Sequence, residues 1–296
     1  MMRKFDVDFF SEGTRCAGWL YLPDDVPKPP VVVMAHGIAA EKAFRLPAFA
    51  ERFVARGLAV FLFDYRNFGD TDGQPRNLVS PRRHLKDLDA AISHVRGLSE
   101  VDGTKVALWG TSFGGGHVLV AAAKNPNISA VVSQIPFVDS ISTVLMFSPL
   151  YTLRALYHGF RDMFNIITFR RPHYIPVVAE PGDFALMNTP ESKPGYLALV
   201  PEDSTWRNEC PARIMLTILL YRPIVYAGRI KCPVLIPYAE YDSLIPARAV
   251  ESTGRKITNC QLVSLPIGHF DAYYGEVFEK VVRMEADFLY QNLYGG

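Results

Sequence analysis

Apolar residues fall into two patterns along this chain, and the two patterns alternate. Residues 3–10 alternate apolar and polar side chains, and 14–23 form a second extended run, so the chain opens on two strands. The Pro-rich stretch 23–30 is a loop. Val31-Val-Val-Met-Ala35 is an unbroken, mostly β-branched run, the pattern of a strand buried on both faces. From there the period switches repeatedly. Helices are predicted over about 46–56, 81–97, 113–124, 246–256 and 274–293, and strands over 58–63, 105–109, 128–134, 233–238 and 261–265. Between 64 and 80, Gly, Asn, Asp and Pro mark a loop. The expected class is α/β: a mostly parallel, twisted sheet with helices on both faces, joined by right-handed crossovers.

Residues 139–228 break this rhythm. They carry Met146, Phe147, Leu150, Tyr151, Tyr157, Phe160, Met163, Phe164 and Phe169, then Pro-rich loops, then an apolar helix near 211–221. Such side chains either line an apolar, adaptable pocket or build the segment's own core.

Composition narrows the function classes. A chain of 296 residues with 49% hydrophobic content buries a large core. A net charge of +1 gives no electrostatic case for nucleic acid. The N-terminus has no apolar stretch and cleavage site of a signal peptide. No apolar run reaches about 18 residues, and the richest, 212–226, is interrupted by Arg213, Arg222 and Pro223, so no membrane span is expected. A cytoplasmic location is the default reading. Cys16, Cys210, Cys232 and Cys260 form no C-x-x-C pair and read as buried thiols, not as metal ligands. No cofactor and no metal are expected.

The informative chemistry lies at Lys105-Val-Ala-Leu-Trp-Gly-Thr-Ser-Phe-Gly-Gly-Gly116. A strand ends at Gly110, and a helix follows Gly114. A serine between them sits on a turn so tight that positions 110 and 114 must lack side chains. The turn lifts the hydroxyl out of the sheet and sets it at a helix N-terminus, where free N–H groups favour an oxyanion. A serine at its free pKa is a weak nucleophile, and it needs a base and a group that orients the base.

G-x-S-x-G between strand and helix is the nucleophile elbow, and the chain resembles the α/β-hydrolase superfamily along essentially its whole length. More narrowly, it looks like the dienelactone-hydrolase and X-prolyl-peptidase-like branch. Met34-Ala-His-Gly-Ile38, Phe63-Asp-Tyr-Arg-Asn-Phe-Gly69 with Gly73-Gln-Pro-Arg76, Leu108 to Leu119, and Gly268-His-Phe-Asp-Ala-Tyr-Tyr-Gly275 carry the likeness. Together they are similar to bacterial relatives of fungal polyketide transferases and thiohydrolases. Two departures matter. The chain has no residues left for the β-rich domain of X-prolyl peptidases, and dienelactone hydrolase uses cysteine where Ser112 stands. Trp206-Arg207-Asn208-Glu209 looks like a recurring segment of these relatives, with Arg–carboxylate pairing the one role offered for it.

The resemblance implies an α/β-hydrolase core over 1–138 and 229–296, with 139–228 inserted as a mainly helical lid. It implies the chain order serine, acid, histidine in loops at the carboxyl ends of strands. Asp242 follows the strand 233–238 and is the acid, with Glu240 the competitor. His269 lies just after the strand 261–265 and is the base; His36, His84, His94, His117, His158 and His173 are packed or solvated instead. The oxyanion hole falls to the backbone amides of Phe113 and Ile38, with Gly37 letting the backbone turn. The expected activity is hydrolysis of a small-molecule carboxylic ester or thioester through an acyl-enzyme, with loss of activity below about pH 6 if His269 keeps its reference pKa. An acyltransferase with the same acyl-enzyme is the alternative, and a non-catalytic ligand-binding protein a third reading. Serine at 112 argues against epoxide hydrolase and haloalkane dehalogenase chemistry, which would want a carboxylate. The oligomeric state, a homodimer included, is left open.

Overall fold

The structure, a computed structural model, describes residues 2–295. Strands β1 (Met2–Ser11), β2 (Thr14–Pro23) and β3 (Pro30–Ala35) lead into α1 (Leu46–Ala55), β4 (Ala59–Phe63), α2 (Pro81–Arg96), β5 (Asp102–Thr111), α3 (Phe113–Lys124) and β6 (Ala130–Gln134). A long segment follows, holding α4 (Ser140–Val144), α5 (Pro149–Ile167), β7 (Tyr174–Ile175), α6 (Ser192–Leu199), β8 (Cys210–Pro211) and α7 (Ile214–Thr217). The chain closes with β9 (Val234–Ala239), α8 (Ala247–Gly254), β10 (Cys260–Leu265) and α9 (Gly275–Tyr294).

Eight strands make one sheet in the order β1-β2-β4-β3-β5-β6-β9-β10, and β7 and β8 form a separate antiparallel pair. β1, β2 and β4 pair antiparallel, and every other pairing in the large sheet is parallel. The run Val31–Ala35 is wholly buried, as are all five residues of β4. Each fully buried Val, Leu or Phe side chain contributes roughly 1.5–3 kcal/mol of transfer free energy. The two faces are filled differently. Trp109 of β5 packs against Phe49 and Phe53 of α1 and donates its indole N–H to Glu285 of α9. Tyr65 just after β4, His84 of α2 and His117 of α3 pack together in a second aromatic cluster.

The chain winds from β3 outward to β4, then returns past β3 to β5 and on to β6, β9 and β10. Winding reverses between β3 and β5, and in such sheets the crevice beyond the carboxyl ends at the reversal is where ligands bind. The register puts Ala35 beside Gly110, so the loops leaving these strands start side by side.

The segment between β6 and β9 differs in detail from its expectation. The apolar stretch near 211–221 is one α-helical turn, α7, followed by a 3-10 turn over Ile218–Leu220; Pro211 ahead and Pro223 behind limit it. Of its large apolar side chains, Phe147 and Tyr151 face a cleft, whereas Leu150, Tyr157, Phe160, Phe164 and Phe169 are exposed, Phe169 almost fully. The exposed set lines neither this cleft nor a core. The periodicity of α5 marks one apolar stripe toward the cleft, and its outer face is apolar as well.

The cysteines also differ. Cys16 and Cys210 are buried, but Cys232 and Cys260 are half-exposed, and all four are free. Burial pushes the thiols up, to about 12 for Cys16 and about 11 for Cys232 and Cys260, so none is a ready nucleophile. Among the described residues, no helix is long and apolar enough to cross a membrane, and no cluster of His, Cys, Asp and Glu could hold a metal ion.

Candidate active site

Ser112 sits between β5 and α3 with φ 53° and ψ −118°, a left-handed backbone that a serine adopts only under constraint. The constraint is visible. Its N–H donates to Gln134 O at 2.9 Å, and its carbonyl accepts from Phe137 N–H at 2.9 Å. Both glycines are required sterically. A Cβ on Gly110 would lie 2.3 Å from Gly114 O, and one on Gly114 would lie 2.2 Å from Ala35 O.

Asp242 and His269 come from the loops after the adjacent parallel strands β9 and β10. Asp242 Oδ1 accepts N–H groups of Leu244 (2.7 Å) and Ile245 (2.9 Å), which fixes the carboxylate. Its Oδ2 lies 2.7 Å from His269 Nδ1, and His269 Nε2 lies 3.1 Å from Ser112 Oγ. A carboxylate accepts only, so Nδ1 carries the ring proton and Nε2 is left to accept from the serine hydroxyl. Glu240, the competing acid, is exposed. Burial alone would disfavour the imidazolium. The charge and hydrogen bond of Asp242, with the charge of Glu191, outweigh it and hold His269 above its ordinary value.

The loop after β3 lies against the serine: a Cβ on Gly37 would be 3.6 Å from Ser112 Cβ. Phe113 heads α3, where an N–H has no intrahelical partner, and Ile38 shares the cleft wall with Ser112. Three contacts fix the Ile38 loop. Tyr196 donates its hydroxyl to Ile38 O at 2.9 Å, Trp206 its indole N–H to Ala39 O at 2.9 Å, and Lys42 N–H bonds Asp64 Oδ1 at 2.6 Å. Lys42 Nζ, itself buried, also reaches Asp64 at 2.7 Å. The stretch Phe63–Gly69 is thus a brace for the loop carrying Ile38.

The cleft above Ser112 encloses about 860 Å³, its open mouth included. Phe137, Leu156, Met187, Met215 and Leu244 are among its walls, and His269 is the one ionisable side chain lining it other than the Tyr151 phenol. A smaller space of about 370 Å³ on the other side of Ser112 lies between Phe44, Tyr196, Leu199 and Phe270.

All five expected site residues, Ser112, Phe113, Ile38, Asp242 and His269, meet here. The other histidines do not. His36, His84 and His117 are buried, and burial lowers each of them toward the neutral ring. His84 Nδ1 lies 3.3 Å from His117 Nε2, and His117 Nδ1 lies 2.6 Å from Tyr221 OH. His158 and His173 stack on each other in the segment between β6 and β9.

Sequence reasoning missed Glu191 and Tyr196, which no motif marks. It gave Trp206–Glu209 the wrong contact. Among the described residues neither Arg207 nor Glu209 makes an ion pair. The segment is held by Trp206 on Ala39, by Asn208 side-chain bonds to Val177 and Val178, and by Asn77 Nδ2 donating to the carbonyls of Arg207 and Glu209.

Known proteins resemble this chain in sequence and in fold to differing degrees. The family model described as serine aminopeptidase, S33, matches residues 27–267. The quorum-quenching protein AidA of Acinetobacter baumannii (strain MDR-ZJ06) is 42% identical over 284 residues, which are 96% of this chain and 93% of AidA. The α/β-hydrolase GrgF from Penicillium sp. sh18 superposes with a TM-score of 0.83 at 25% identity, over 98% of this chain and 99% of GrgF. DcsB in complex with its substrate analogue gives a TM-score of 0.86 at 24% identity, over 98% of this chain and 100% of DcsB.

Proposed function

This chain belongs to the serine aminopeptidase, S33, family of α/β-hydrolases, and from that premise we propose that it cleaves a carboxylic ester or thioester with an apolar acyl group. The observation that carries the reading is the 3.1 Å contact of Ser112 Oγ with an imidazole whose other nitrogen is held by a buried carboxylate, at the floor of an apolar cleft. Ser112 attacks the carbonyl carbon while His269 takes its proton. The amides of Phe113 and Ile38 receive the developing oxyanion, each worth roughly 3 kcal/mol if lost. His269 returns the proton to the departing alcohol or thiol, and the bond to it breaks. Water, deprotonated by the same imidazole, then releases the acid.

Aminopeptidase action is not favoured. An N-terminal ammonium needs a carboxylate partner, and no Asp or Glu lines the cleft. The insertion acts as a lid in this reading, because α4 and α5 supply one wall of the cleft. Substrates are uncharged small molecules, since burying an unpaired charge there would be costly.

Replacing Ser112 by Ala should lower turnover of p-nitrophenyl acyl esters by at least about a thousandfold and abolish fluorophosphonate labelling; retained turnover sinks the assignment. Because AidA is named for quorum quenching, the substrate panel includes diffusible quorum signals, read out by a reporter strain. Acyl transfer to an alcohol or amine is the second reading. The apolar lining of the cleft favours it, as does the name of the polyketide transferase grgF, 30% identical over 180 residues. Product analysis with added acceptor alcohols separates the two.

A further inference from the structure

The loops that carry Asp242 and His269 are joined to each other by a side chain that belongs to neither. Glu191 lies in the insertion, immediately before α6. Its Oε2 accepts the backbone N–H of His269 at 2.9 Å. Its Oε1 accepts the N–H of Ser243 at 3.0 Å and the Ser243 hydroxyl at 2.5 Å, one residue beyond Asp242. A single carboxylate thus bridges two loops 27 residues apart in the chain, using hydrogen bonds to an ionised acceptor, the stronger kind.

The surroundings are shaped for it. A Cβ on Gly268 would lie 2.6 Å from Glu191 Oε2, so a side chain there would displace the carboxylate. A Cβ on Gly195, one turn into α6, would lie 2.4 Å from the Phe270 ring, so α6 is pressed onto the residue after His269. Tyr196, the next residue, is the one that holds Ile38 O. One short stretch of the insertion therefore touches the acid loop, the base loop and the oxyanion loop.

We propose that Glu191 is a positioning residue that locks the acid-bearing and base-bearing loops together from the insertion, so that the aligned catalytic array exists only with the insertion in place. This deepens the serine-hydrolase reading and rests on it. The charged groups around His269 are Asp242, at its Nδ1, and Glu191, behind its backbone; Asp271 turns instead to Gly268 N–H at 2.8 Å. Glu191 has an electrostatic effect as well as a geometric one, since its negative charge favours the imidazolium.

The test is Glu191→Gln, which keeps the size and removes the charge and one acceptor. Hydrolysis of p-nitrophenyl butyrate is followed across pH, with the melting temperature as control. The expected result is a kcat lower by about tenfold or more with KM nearly unchanged, and an acid limb displaced to lower pH. A purely structural loss would not move the limb in that direction. A folded variant with wild-type kcat and an unmoved acid limb overturns the proposal. Should Glu191→Gln fail to fold, Ser243→Ala removes the hydroxyl from the same carboxylate and leaves the amide. A drop in its kcat at constant KM supports the lock, and an unchanged kcat overturns it. Wild-type protein that neither hydrolyses the ester nor takes up a fluorophosphonate would sink the hydrolase reading itself, a different outcome from an active enzyme indifferent to Glu191.

Discussion

At the scale of single residues, His269 decides the pH behaviour. In the proposed mechanism hydrolysis needs the neutral ring, because only a free Nε2 can take the Ser112 proton. Asp242 and Glu191 hold the imidazole above its ordinary value despite complete burial. A raised pKa means the ring stays protonated to higher pH, so activity declines on acidification sooner than an unperturbed histidine would dictate. The acid limb of kcat/KM should lie above about 6.5, and Asp242→Asn should move it down while cutting turnover by orders of magnitude; a limb at or below 6 in the wild type would contradict the geometry. Ser112, Asp242 and His269 were legible in the sequence because each sits at a position the chain marks: a glycine-flanked turn, or a loop directly after a strand. Glu191 and Tyr196 were not, and Trp206 was marked only by resemblance, without its contact. Their contacts span 78, 158 and 167 residues of chain and leave no local pattern.

Elements show why the elbow and the sheet behind it tolerate so little. At Gly114 the obstructing atoms are backbone carbonyls of Ala35 and His36, which cannot swing aside as a side-chain end can. Gly114→Ala must therefore push α3 away from β3, taking Ser112 with it. A fall in melting temperature accompanied by loss of turnover is expected, and an active, fully stable variant would contradict the steric account. Behind β5, Glu285 of α9 is buried with Oε2 on the Trp109 indole, while Oε1 has no partner among the described residues. Burial pushes its carboxyl up to about 8. The folded state then binds a proton that the unfolded chain releases near the ordinary glutamate value of 4.5, so stability falls as pH rises from there toward about 8. Melting temperature should decline across that window, and Glu285→Gln should flatten the decline; a parallel decline in the variant would rule Glu285 out as its source. Strand and helix positions agree with the hydrophobic period to within a few residues. The period failed where proline and exposure intervened, at 211–221 and along the outer face of α5.

For the molecule as a whole, under the proposed function, the relation between the sheet and the segment between β6 and β9 sets what can be hydrolysed. The switch in winding between β3 and β5 puts Ser112 at the floor of the crevice, and the segment between β6 and β9 lines it with apolar side chains. That a segment stands apart from the large sheet was readable as a break in the strand–helix rhythm, but its inner and outer faces were not, since both are apolar. The cleft holds no charge to bind a polar head, so affinity along the acyl chain must come from methylene burial, about 0.8 kcal/mol each. That corresponds to a gain in kcat/KM of up to about fourfold for each added carbon. The gain should continue from acetate upward until the cleft is full, and then reverse. Ala155 points into the same cleft from α5 and is almost wholly buried. Ala155→Phe should shorten the available space and move the optimum to a smaller acyl group, with activity on acetate retained because the array at Ser112 is untouched. A profile that is flat in chain length, or an optimum that Ala155→Phe leaves in place, would mean that the acyl group lies elsewhere, with the smaller space beside Phe44 and Phe270 the next place to test.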